Sequence, residues 1–182
     1  MFKYPLHTAC RKLLRRWAGS EDGVAAVEAA MIFPILLMML LGVFDMGNAI
    51  LANQKAIRSS QVVADLITRA RAVDSTDINE AVEAGRLAFE PLNSSTYGVD
   101  IISMRFDASA TPQIVWRETQ GMIPVANPQA HVDSLAEPGG GVVMVAVEYQ
   151  FTPVFVSVLS DRMHMQEIAF ARGRKSAVVN RN

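Results

Sequence analysis

Charge is scarce in this chain. Asp, Glu, Lys and Arg make up 19% of its 182 residues, where soluble domains carry about 25%. The net charge is −1, which excludes a strongly basic nucleic-acid binder. Cysteine is almost missing too: Cys10 stands alone, so no intrachain disulfide can form and cysteine usage says nothing about redox compartment. Nor does Cys10 read as a lipid attachment site, because no apolar run precedes it and His7 stands where such a box needs leucine. His7, His131 and His164 are isolated, and none has metal-ligand spacing. There is no G-x-S-x-G elbow. Gly139-Gly140-Gly141 lacks a following Lys-Ser/Thr and reads as a turn before a strand. The sequence therefore predicts no catalytic residues, no metal and no cofactor.

Apolar residues, by contrast, reach 51%, and many of them lie in one run. Val24 to Phe44 reads VAAVEAAMIFPILLMMLLGVF, 21 residues with Glu28 as the single charge. As a helix this stretch is roughly 31 Å long, close to the hydrocarbon core of about 30 Å. Ile32 to Leu41 is apolar on every face, whereas a helix on a soluble core would show a polar stripe. Lys3, Arg11, Lys12, Arg15 and Arg16 all precede the run, and between its end and residue 68 only Lys55 and Arg58 follow it. The positive-inside rule then predicts a cytoplasmic N-terminus. A signal peptide is the competing reading. Its apolar region is typically 7–15 residues and ends in a small-x-small site, and Phe44-Asp45-Met46 offers none. Two residues are costly here: Pro34 lacks a backbone donor and predicts a kink, and a carboxylate at Glu28 needs a partner or a wet interface.

Gly23-Val24-Ala25-Ala26-Val27-Glu28 puts a glycine five residues before a glutamate, at the start of the apolar run and behind a basic leader. This resembles the processing signal of type IV pilin-like proteins. The longer stretch GVAAVEAAMIFPILLMMLLGVFDMGNAI resembles the TadE-like family of minor pilins from tight-adherence, Flp-type pilus systems. The resemblance rests on Gly23, on Ala26-Val27-Glu28, on Pro34 six residues after the glutamate, on the Leu-rich run, and on Gly42, Asp45 and Gly47. It differs in carrying Ala29 where the family has an aromatic residue. What the resemblance implies is cleavage after Gly23 by a prepilin peptidase, leaving an ammonium at Val24. Glu28 would then be a subunit-assembly carboxylate, paired with the Val24 ammonium of a neighbouring subunit. It also implies other pilins of the same filament and the Tad inner-membrane machinery as partners.

Three segments are thus expected: a basic cytoplasmic leader (1–23), a transmembrane helix (24–44) and a periplasmic or extracellular domain (45–182). Asp45 to Arg71 should continue as an amphipathic helix whose stripe is Met46, Ile50, Ile57, Val63, Leu66, Ile67 and Ala70. Asp74 or Asp77 caps a second helix reaching about Glu90, before Pro91 and Asn93-Ser94-Ser95. The set Asp74, Asp77 and Glu80 lacks the glycine and further carboxylates of a calcium loop. The period then turns to two. Strands are predicted around Ile102–Phe106, Pro112–Glu118, Val142–Phe151, Val154–Leu159 and Met163–Arg172, with a loop over 119–141 and a frayed basic tail from Arg172. Trp116, Tyr149 and Phe151 are assigned to the sheet core. Connections too short for crossovers make the sheet mainly antiparallel. The fold class is α+β: a long N-terminal helix, a second helix, then a small pilin-like sheet.

Two functions remain open on the sequence. One is a minor pilin or pseudopilin in the inner membrane or in the pilus itself. The other is a permanently anchored, uncleaved envelope factor that binds assembly machinery or a ligand. An anchored enzyme has no residue in its favour.

Overall fold

The computed structural model describes residues 22–155 and 162–182. The leader with His7 and Cys10, and most of the strand expected over Val154–Leu159, lie outside the described residues; Val154 and Phe155 form a bend rather than a strand. The chain divides into two compact units at Phe44 and Asp45.

Helix α1 runs Asp22–Thr68 and carries Pro34 in its interior. In the first unit every residue from Gly23 to Leu40 is exposed. Apart from Glu28 that surface is apolar, so water is the wrong solvent for it. Among the described residues this is the one helix long and apolar enough to cross a membrane.

The second unit is α+β, with a small antiparallel sheet. Its part of α1 ends three residues before the predicted Arg71, where Thr68 Oγ1 donates back to Ala64 O at 2.7 Å. A two-residue strand β1 (Ala72–Val73) leads into α2 (Ser75–Leu87). Asp74 is its cap: Oδ1 accepts from Thr76 N and Asp77 N, both at 2.8 Å, and Asp77 Oδ2 accepts from Asp74 N at 3.0 Å. This reciprocal box satisfies donors that a helix start leaves orphaned. The helix stops at Leu87 rather than Glu90. Phe89 N and Glu90 N bond to carbonyls three residues back, tightening the end, and Lys55 Nζ from α1 donates to Glu90 O at 2.5 Å.

The main sheet has the order β3-β2-β4-β5, antiparallel throughout. Its strands are β2 (Gly98–Phe106), β3 (Pro112–Gln120), β4 (Gly141–Phe151) and β5 (Met163–Ala171). Alternation sends Val99, Ile101, Val143, Val145, Val147, Tyr149 and Phe151 to the helix side, with Trp116. Ile102, Met104, Phe106, Val142, Met144 and Ala146 point the other way. The segment expected to be a plain loop covers that second face. It contains two 3-10 turns (Pro128–His131 and Asp133–Leu135), and Val125 and Val132 pack on the sheet. The central strands β2 and β4 are thus buried on both faces.

The buried stripe of α1 matches the expected one at Val63, Leu66, Ile67 and Ala70, which lie in or against the core, and differs at the rest. Met46, Ile50 and Ile57 are exposed, while Ala52, Ala56, Ser59, Ser60, Val63, Ala64 and Ile67 are buried. The cause is close packing of α2. A Cβ built on Gly85 would lie 2.5 Å from Val63 Cγ2, and Ser59 Oγ donates to Gly85 O at 2.8 Å. Only small side chains fit on α1 where α2 comes this near.

The tail is not frayed. A short strand β6 (Asn180–Arg181) pairs in parallel with β1. Val179 is buried, and its carbonyl accepts from Ser103 Oγ at 2.7 Å and Trp116 Nε1 at 2.9 Å.

Candidate assembly site

Gly23, Val24, Glu28 and Pro34 all lie on α1. Val24 and Glu28 are four residues apart, so their side chains share one face of the helix. Glu28 is exposed on an otherwise apolar surface. A Cβ at Gly23 would meet nothing within 4 Å. Glycine costs a helix about 0.5–1 kcal/mol against alanine, and no packing in this fold asks for it at that place. The same holds for Gly47. The helix continues through Pro34, whose missing N–H leaves the carbonyl of Ala30 without its usual donor.

Asp45, the first charge after the apolar run, is buried, with 5% of its surface exposed. Its two carboxylate oxygens accept from Val154 N at 3.0 Å and Phe155 N at 2.9 Å. It therefore ties the bend after β4 to the helix.

Residues 23–65 match the model of a protein family described as TadE-like protein.

The match covers about a quarter of the chain and ends within α1. It takes in every predicted site residue together with Asp45 and Gly47. The matched segment contains the one helix among the described residues that is a candidate membrane span by length and composition. No curated protein and no solved structure matches the chain.

Downstream of the segment, the domain holds one buried charge that sequence reasoning missed. Asp100 on β2 is wholly buried. It accepts from Arg117 Nε at 2.9 Å, Arg117 Nη2 at 2.5 Å, Thr119 Oγ1 at 2.8 Å and Val125 N at 2.9 Å. The signal was legible: an acid at an alternate position of the apolar strand Gly98-Val99-Asp100-Ile101-Ile102 needs donors, and Arg117 and Thr119 lie on the adjoining strand. The network fastens the 121–140 cover to the sheet rather than forming a reactive site. His164 Nδ1 lies 3.4 Å from Glu148 Oε1. Among the described residues, no three His, Cys, Asp or Glu side chains converge as metal ligands would. The Tyr97 hydroxyl is pushed up by burial, against the hydrogen bond with Ser59 at 3.0 Å.

Two ion pairs set an acid limit for the tail. The hydrogen bond from Arg69, at 2.6 Å, holds the Asp65 carboxyl below the usual range, and the charge of Arg174 adds to it. Glu137 is lowered likewise by Arg172. A lowered folded pKa contributes stability that is present above the unfolded value and is lost as pH falls through the folded one. Both groups are solvent-reached, so the effect is small. We expect the protection factor of the Arg174 amide, whose N–H donates to Thr68 O at 3.0 Å, measured against intrinsic exchange at each pH, to fall on acidification below the ordinary carboxylate range. Amides of β4 should stay protected. Equal loss of protection in both would show that the tail has no separate acid-sensitive hold.

Proposed function

We propose that this chain is a minor pilin or pseudopilin that takes part in assembling an Flp-type (Tad) pilus and is not a catalyst. One observation carries the reading. Within the segment that matches the TadE-like model, Gly23 meets no packing neighbour among the described residues and Glu28 stands exposed on an apolar helix. A peptidase that cuts behind a small residue supplies the duty for Gly23. A neighbour's ammonium supplies the partner for Glu28. The leader, residues 1–23, would stay in the cytoplasm, residues 24–44 would span the inner membrane, and residues 45–182 would lie in the periplasm until taken into a filament. Its partners are then the bilayer, other pilins, the prepilin peptidase and the Tad inner-membrane machinery. Ala29, in place of the family's aromatic, favours a second reading, a permanently anchored factor that is not cleaved.

N-terminal sequencing of the membrane-extracted protein separates the two: Val24 as first residue supports the pilin, and an intact start at Met1 or Phe2 supports the anchored factor. Gly23 replaced by a bulky residue should block processing. Glu28→Ala should insert normally yet fail to assemble, because an ammonium buried without its partner costs about 3–5 kcal/mol per contact. Wild-type pilus number and incorporation in that variant would end the assembly role.

A further inference from the structure

We propose that the seam between α1 and α2 is a self-association surface, on which the basic end of one copy's seam meets the acidic end of another's. The inference goes beyond the pilus reading and holds whether or not the chain is cut at Gly23.

Two clefts of opposite charge lie along the seam. One, of about 550 Å³, is lined by Lys55 and Arg58 with Leu51, Val62, Ala84 and Ala88, and by no acidic residue. The other, of about 290 Å³, is lined by Asp77 and Glu80 with Leu66, Ala70 and Ala81, and by no basic residue. Asp77, Glu80, Ala81, Ala84 and Ala88 recur at three- and four-residue spacing, so both clefts open on the same side of α2 and its cap. The two ends do not neutralise each other within one copy. Arg58 and Leu66 are roughly 12 Å apart along α1. Among the described residues neither Arg58 nor Glu80 has an ion-pair partner. That sets them apart on these helices, where Asp65 is paired with Arg69 and Arg174, and Glu83 with Arg86. Lys55 is already held by the carbonyls of Ala88 and Glu90, and Asp77 Oδ2 by the capping box. Arg58 and Glu80 are therefore the free pair, and both are exposed.

A second copy is the partner this pattern fits. A surface with one sign of charge at each end is complementary to itself once shifted along the seam or turned end for end. A partner of one sign would be repelled at one end. The walls of both clefts are largely apolar, and Leu51 is 42% exposed. Charges that meet there lose part of their water, so the attraction is stronger than on an open surface, and unlike ends fix the register of the contact.

The test uses the full chain with Cys10→Ser in two differently tagged copies, co-expressed and oxidised with copper phenanthroline in mild detergent. One copy carries Gln54→Cys and the other Thr76→Cys. Both positions are exposed and uncharged, and each lies one helical turn before Arg58 or Glu80, so the charges stay in place. The mixed 54–76 disulfide should form severalfold more than 54–54 or 76–76. Equal yields of the three, or absence of the mixed product, would overturn the contact. Joining of either cysteine only to a different protein would overturn it equally. Arg58→Glu in both copies should cut the mixed yield severalfold. Adding Glu80→Arg should restore it, because the two ends are then exchanged and complementary again. A yield unchanged by Arg58→Glu, or not restored by the second reversal, would overturn the charge pairing. N-terminal sequencing of the cross-linked product keeps this result apart from the pilus reading: cross-linked protein that starts at Met1 ends that reading and leaves the seam contact standing.

Discussion

Arg117→Ala is expected to destabilise the domain by about 3 kcal/mol, at the low end of what breaking a buried ion pair costs. For a domain of this size the midpoint should fall by about 10 °C. Asp100 is wholly buried, whereas the Arg117 side chain keeps 26% of its surface exposed. Removing the arginine therefore strands a carboxylate that water cannot reach, and only Thr119 and Val125 are left to donate to it. Arg117 Nη2 also donates to Val125 O at 2.9 Å, so the cover over the second sheet face loosens with it. Thermal unfolding of the full chain in detergent, followed by near-ultraviolet circular dichroism, measures the loss. The cause is checked by adding Asp100→Asn, which takes the stranded charge away. The double variant should recover part of the stability, and a double variant no better than Arg117→Ala would rule out the stranded carboxylate as the source.

Phe89→Ala should cost a similar or larger amount, about 3–5 kcal/mol. Phe89 has no exposed surface. Its ring centroid lies 5.3 Å from that of Tyr97, edge to face, and 5.0 Å from that of Tyr149. It joins the end of α2 to β4 and to the segment entering β2. The neighbours are large and themselves fixed: Tyr97 OH lies 3.0 Å from Ser59 Oγ, and Tyr149 is held within β4. They cannot collapse into the space, so the cavity term adds to the lost burial. Denaturant unfolding checks the value. A loss below about 1 kcal/mol would show that the site closes after all.

Much of this architecture was legible in the sequence, and the failures have two causes. Alternation over Ile102–Phe106 and Val142–Phe151 marked the central strands, and Asp74 with Asp77 marked the start of α2, because both signals depend on neighbours in the chain. The apolar run of α1 was plain for the same reason. The buried stripe of α1 was misread because hydropathy rewards size. Met46, Ile50 and Ile57 outrank Ala52, Ala56 and Ser59 on any such scale, yet the approach of Gly85 makes room only for the small ones. The 121–140 cover and the ordered tail were hidden for another reason. Each depends on a distant acceptor or donor: Asp100 for Val125, and Ser103 and Trp116 for the carbonyl of Val179. At the candidate site, the residues were legible through the family resemblance, and the structure adds that no packing among the described residues requires glycine at Gly23. The hold of Asp45 on the bend spans 109 and 110 positions of chain, and no local pattern announces it.

The clasp at Val179 sets an order on biosynthesis. The carbonyl that receives Trp116 and Ser103 lies 63 and 76 positions further along the chain than its donors, so both strands are made before it. Until then β1 has no β6 beside it, and the centre of the sheet lacks its final acceptor. The sheet can therefore form its ladder before this clasp exists, and the clasp closes as a later, separate step.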